Sequence, residues 1–224
     1  MTLEHYFKDI KNIKVIDATI DYNLYVAIDL STENTDKLHL DLTNAHLFET
    51  FIENHLEANQ AKIAYGGYIE KRNLYKRSVV FQQPETDARN IHLGLDLWIK
   101  ADTAVLAALD GKIHSFQNNH LLGDYGPTII LEHQIEGLIF YTLYGHLSLE
   151  SLNHIKIGQL VKQSETIAFL GKPPINGDYA PHLHFQIIKD LEGKFGDYPG
   201  VCAAKDVSYY KHNCPDPNLL LKIY

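Results

Sequence analysis

Between residues 88 and 188 the chain is a succession of short apolar runs: IHLGLDLWI, AVLAAL, GKIHSF, TIILEH, LIFYTLYGHL, QLVK, TIAFLG and HLHFQII. Gly, Pro, Asn and Asp separate them, and no long helical period intervenes. Runs this short are too brief for packed helices but suit strands joined by tight turns. The segment is therefore expected to be mainly β, a sandwich or roll.

The flanks read differently. In residues 1–85, IKVIDATI (13–20) and LYVAIDL (24–30) bracket Asp21, Tyr22 and Asn23, which predicts a hairpin, and LHLDL (38–42) predicts a further strand. Asn44 is a fitting N-cap, and Leu47, Phe48, Phe51, Ile52, His55 and Leu56 recur at helical spacing, so 45–59 is expected to be an amphipathic helix. Its face at Leu47, Phe51 and Leu56 needs a partner surface, while His46 and His55 read as ordinary core or surface residues. Residues 191–224, rich in Gly and Pro and closed by LLLKIY, read as an irregular extension. Three regions result: a mixed α/β N-terminal region (1–85), a β core (86–190) and a C-terminal extension (191–224). Both flanks are expected to pack on the core and wall its groove.

An apolar fraction of 45% over 224 residues is enough for a sizeable core. The charge balance of 20 basic against 28 acidic residues, a net −8, has no basic cluster and argues against a nucleic-acid partner. The start MTLEHYFKDIKNIKVID is too charged for a signal peptide, and no apolar run reaches the roughly 18 residues of a membrane span. As it stands, the chain reads as cytoplasmic, with an extracellular or periplasmic location reached by another export route as the alternative. Cys202 and Cys214 form neither a disulfide framework nor a CxxC zinc motif; free thiols are the simple reading and one bridge the alternative.

The chemistry is concentrated in the 13 histidines. In HLHF (182–185), residues two apart share a strand face, so His182 and His184 point together while Leu183 and Phe185 point inward. Standing alone, that pair would read as surface histidines. Upstream, however, His92 and Asp96 also alternate with leucines, and on a straight strand they would lie about 13 Å apart. If both hold one metal the chain must bend between them, and Gly94 permits it. Two imidazoles and a carboxylate form a zinc set with an open fourth position, the catalytic rather than the structural arrangement. The helical HExxH motif with its glutamate base is absent.

Taken in order, HLGLD (92–96), TAVLAALDGKI, TIILEH, FYTLYGHLS, IGQLV and PHLHFQI resemble the lysostaphin-like (LytM-like) zinc endopeptidases over about 88–190. The resemblance implies a β-roll or sandwich core with a groove over the sheet, zinc on His92, Asp96 and His184, and a catalytic pair, His146 and His182. It also implies a peptide substrate, with peptidoglycan cross-bridges or other peptides containing Gly or D-amino acids as candidates. His133 reads as structural, while His114, His120 and His154 read as solvated near turns. His212, between the two cysteines, reads as incidental. The loop GKPPINGDYAP (171–181), with Asp178 and Tyr179, is longer than the family's usual turn and is expected to line the groove and restrict it to short peptides. Two other functions stay open: a non-catalytic binding module, and a zinc hydrolase of another amide.

Overall fold

The computed structural model describes residues 2–39, 41–74 and 88–224. Its elements, in order, are α1 (Leu3–Phe7), β1 (Tyr25–Ala27), α2 (Thr32–Lys37), α3 (Ala45–Ala58), β2 (Ile63–Gly66), β3 (Ile91–His92), β4 (Leu95–Trp98) and β5 (Ala104–Leu106). Then come β6 (Gly111–Asn119), β7 (Gly126–Ile135), β8 (Leu138–Gly145), β9 (Leu160–Val161), β10 (Thr166–Phe169), β11 (His182–Ile188), β12 (Val201–Cys202), α4 (Val207–Asn213) and α5 (Asn218–Leu221). Eight strands form one mixed sheet in the order β1-β2-β4-β11-β8-β7-β6-β9, parallel at β1–β2 and antiparallel elsewhere. Two small antiparallel pairs, β10–β5 and β12–β3, complete the strands. The fold is mainly β, and the expected strands of 88–188 all form.

Alternation explains how the sheet is covered. Leu95, Leu97, Ile129, Leu131, Leu183, Phe185 and Ile187 belong to one cluster with Leu3, Phe7, Val105, Ala168, Leu220 and Leu221. The intervening residues enter two other clusters, Trp98 with Phe48 and Ile52 of α3, and Ile130, Leu143 and Ile188 with Tyr198 and Cys214. With both faces covered, every residue of β11 is buried. The turn between β7 and β8 is two residues, Glu136 (φ 48°) and Gly137 (φ 82°), both left-handed as a tight hairpin whose twist matches its strands requires.

Several expectations for the flanks are corrected. Residues 13–20 make no hairpin with 24–30: Ile13, Val15, Ile16 and Ile20 drop into the core, and Ile16 bridges Val105. Asp21 instead precedes a 3-10 turn (Tyr22–Leu24), and β1 pairs in parallel with β2. No strand forms from LHLDL: Leu38 and His39 turn the chain out of α2, His39 takes φ 50°, and position 40 lies outside the described residues. Helix α3 is capped by the Asn44 side chain as expected, but it buries Phe48 and Ile52 while Leu47 is 55% exposed. The extension is more regular than its Gly and Pro content suggests, since it holds β12, α4 and α5. Phe7 of α1 meets Phe140 of β8 edge to face at 5.4 Å. Residues 75–87, within the expected N-terminal region, lie outside the described residues.

Candidate metal centre

The strand carrying His92 and Asp96 is interrupted. β3 ends at His92, the chain bends at Gly94, and β4 begins at Leu95. Across the sheet, His184 of β11 is in register with Asp96 of β4 and with Gly145 of β8. The bend brings His92 Nε2 to 3.2 Å from Asp96 Oδ1, and His184 Nδ1 lies 3.1 Å from that oxygen. The two nitrogens are 2.8 Å apart. All three residues are buried. Gly94 has a second role there, because a Cβ at that position would lie 2.5 Å from His184 Cε1.

Hydrogen bonds fix which ring atoms carry protons. His92 Nδ1–H donates to the Gly67 carbonyl (2.9 Å), which leaves a lone pair on Nε2. His184 Nε2–H donates to Gln186 Oε1 (2.9 Å), which leaves a lone pair on Nδ1. The Gln186 amide is itself oriented by donation to the Pro199 carbonyl and Cys214 Sγ, each at 3.2 Å. Three acceptor atoms therefore converge with no proton between them, an arrangement that calls for a cation. Two imidazoles and one carboxylate suit zinc, and the donor set fits that metal. Burial pushes the His92 pKa down to about 4 despite Asp96 beside it. Burial opposes ionisation of Asp96, but His92 and Arg72 more than offset this and hold its carboxyl well below the usual range. The guanidinium does so at neutral pH, where His92 is uncharged.

His146 and His182 stand beside this set, their ring centroids 4.2 Å apart. His146 Nδ1–H donates to the Asn176 carbonyl and His182 Nδ1–H to the Ala180 carbonyl, both at 2.7 Å. In each ring Nε2 is left as the acceptor, and His182 Nε2 is 4.0 Å from Asp96 Oδ1. Burial lowers the pKa of both, so both are neutral. His146 sits just past β8 in the left-handed region (φ 61°), held there by the bonds His146 N–H to Tyr125 O and Gly171 N–H to His146 O. Such a backbone costs of order 1–2 kcal/mol outside glycine and persists where neighbours enforce it. Both histidines line, with the three acceptors, a cleft of about 280 Å³ whose walls include Arg89, Tyr125, Tyr179 and Tyr198.

The expected site residues are thus brought together. His182 is 4% and His184 2% exposed, so the HLH pair does not form a surface face, the reading it would have had standing alone. Tyr179 of the 171–181 loop lines the cleft and donates to the Gly123 carbonyl (2.7 Å), whereas Asp178 lines a separate surface pocket. His133 is buried between the Asp110 carbonyl and Thr142 Oγ1. His120 and His154 are exposed, but His114 is half-buried in β6 rather than near a turn. His212 is exposed while Cys202 and Cys214 are buried free thiols, so no second metal set forms from them.

Sequence reasoning missed Gly67, Arg72, Asn176 and Gln186. Arg72 lies in the charged run Glu70-Lys71-Arg72, which resembles a solvated turn, yet it is 1% exposed and its Nη1 donates to Asp96 Oδ2 at 2.5 Å. Gln186 shared a strand face with the two histidines and was legible in principle from the period-2 rule.

Residues 90–195 match the sequence profile of peptidase family M23. A Haemophilus influenzae protein described as an uncharacterized metalloprotease is 34% identical over 105 residues, which is 47% of this chain and 20% of that protein's length. The catalytic domain of lysostaphin from Staphylococcus simulans is similar at 24% identity, over 68% of this chain and 94% of that one, with a TM-score of 0.40. The catalytic domain of a prophage-encoded M23 protein from Enterococcus faecalis is similar at 18% identity, over 54% of this chain and 87% of that one, with a TM-score of 0.38. The matched segment contains all five clustered residues, His92, Asp96, His146, His182 and His184, so the whole site falls within the part of the chain that is similar to peptidase family M23.

Proposed function

We propose that the chain is a zinc-dependent endopeptidase acting on short, flexible peptides that contain glycine or D-amino acids, fragments of peptidoglycan cross-bridges among them. The observation that carries this reading is the convergence, in one cleft, of three acceptor atoms fit for a divalent cation and two neutral histidines presenting bare Nε2 atoms. His92 Nε2, Asp96 Oδ1 and His184 Nδ1 would hold the zinc. When bound, zinc supplies Lewis-acid polarisation of the scissile carbonyl and makes water more acidic.

The chain's own residues handle the proton. With Nδ1–H committed to a backbone carbonyl, His146 and His182 each start as a base at Nε2. Rings 4.2 Å apart repel when both are charged, so the pair carries one proton at a time. The ring that takes it from the attacking water becomes a donor for the departing amine. Tyr179 and the backbone of Asn176, held by the 171–181 loop, shield this pair from bulk water. Arg89 and Lys194 with Asp124 and Asp197 give the cleft walls both signs of charge, which suits a peptide better than a polyanion.

The reading is tested on a panel of short glycyl and D-alanyl peptides beside intact sacculi, with and without chelator. Chelator-sensitive cleavage of the peptides and slow clearing of sacculi are expected. Rapid clearing at low enzyme concentration would refute the restriction to short peptides. Inactivity on every peptide at full zinc occupancy would move the assignment to another amide.

A further inference from the structure

We propose that Arg72 is a positioning residue that restricts Asp96 to a single donor oxygen, so that the turn Gly67–Arg72 completes the metal centre and keeps one coordination position open. The inference rests on the metallopeptidase reading above and concerns residues outside the matched segment 90–195.

The two oxygens of Asp96 have different surroundings. Oδ1 faces His92 Nε2 and His184 Nδ1 at 3.2 and 3.1 Å. Oδ2 receives Arg72 Nη1–H at 2.5 Å. A cation drawn to Oδ2 would have to approach the positive guanidinium and compete with a charge-assisted bond that already occupies that oxygen. The arginine is rigidly placed. Its Nε donates to Glu70 Oε2 at 2.5 Å, Glu70 Oε1 accepts from Leu30 N–H at 3.1 Å, and the Arg72 backbone N–H donates to the Asn90 carbonyl at 2.8 Å. The guanidinium lies over the Trp98 ring, 5.4 Å from its centroid, and Trp98 stacks on His182. A buried arginine held between two carboxylates is compensated on both sides.

The same turn fixes His92, because the Gly67 carbonyl takes its Nδ1 proton. Gly67 has φ +106°, and a Cβ there would lie 2.9 Å from His92 Nδ1 and run into Arg72 Nη2. Without the Arg72 bond, Asp96 Oδ2 is a buried, charged oxygen free to close on the metal as a second donor. That would fill the position a catalytic site keeps for water or substrate.

The test loads the chelator-stripped full chain with one equivalent of cobalt(II), for wild type, Arg72→Gln and Arg72→Lys, and reads visible absorption per bound cobalt. Four-coordinate cobalt absorbs several-fold more strongly than five- or six-coordinate cobalt. Wild type is expected to give the intense bands, and Arg72→Gln to bind cobalt with several-fold weaker bands. Arg72→Lys, which restores the positive charge, is expected to recover most of the intensity. A wild-type spectrum in folded Arg72→Gln would overturn the proposal. If that variant does not fold, the zinc-loaded wild-type crystal structure decides: Oδ1 alone on the metal with Oδ2 on Arg72 is expected, and both oxygens on the metal would overturn it. A wild-type chain that binds no cobalt would overturn the metal reading itself, and this inference with it.

Discussion

Replacing Gly94 by alanine tests the close approach on which the metal centre depends. The φ of Gly94 is not left-handed, so the backbone accepts alanine, which alone would gain about 0.4–1 kcal/mol through the unfolded chain. The added methyl, however, would lie 2.5 Å from His184 Cε1, 2.7 Å from Nε2 and 2.8 Å from the Phe185 carbonyl. Ordinary carbon contacts are about 3.5–4.0 Å, so about 1 Å must be found. The Phe185 backbone cannot supply it cheaply, because β11 is paired to β4 on one side and β8 on the other. The His184 ring must move instead, which disturbs its bond to Gln186 Oε1. Overpacking of this kind costs about 1–3 kcal/mol, so after that gain the net loss lies between zero and about 2.5 kcal/mol. A ligand deprived of its orienting bond typically loses about 10–100-fold in metal affinity. Chemical unfolding with chelator present reads the first quantity and zinc competition against a chromophoric chelator reads the second. Gly193→Ala is the control: its φ of +75° makes alanine strained, but nothing lies within 4 Å of the new methyl, so stability should fall while zinc affinity stays. Wild-type zinc affinity in Gly94→Ala would refute the reasoning.

Three further outcomes are expected. His146→Ala and His182→Ala should each lower kcat by a factor of order 10² or more while zinc content stays near one per chain, since neither ring is needed as a ligand; loss of zinc would show that a ligand had been taken for a catalyst. Buried His133 has its pKa lowered from 6.5 to about 4, chiefly by desolvation. Its neutral form therefore stabilises the fold fully above pH 6.5, and as pH falls from 6.5 towards 4 up to about 3 kcal/mol is lost; the pH-dependence of unfolding should flatten in that window in His133→Gln, and an unchanged slope would contradict it. Phe7→Ala removes a fully buried ring packed edge to face on Phe140 and should cost about 3–5 kcal/mol in a single unfolding transition, whereas separate melting of an N-terminal fragment would show α1 to be tethered rather than packed.

The core was legible because its strands alternate and because turn residues punctuate them at regular intervals. The bend at Gly94 was legible because two ligands four residues apart on a straight strand cannot share a metal. What escaped depends on contacts distant in sequence. The run 13–20 has the composition of a strand, but its side chains are absorbed by the core rather than by a hairpin partner. The burial of Arg72 follows from a turn that packs against β3, and no local pattern distinguishes it from a solvated EKR run. Asn176 acts through its main-chain carbonyl, which carries no residue-specific signature at all.

Zinc titrated into the chelator-stripped full chain, with cleavage of a short glycine-containing peptide as readout, tests the central claim most directly. Activity is predicted to be absent without metal, to rise linearly, and to level off at one zinc per chain. Cleavage that survives chelation, or a chain that binds one zinc and cleaves none of the peptides, would contradict it.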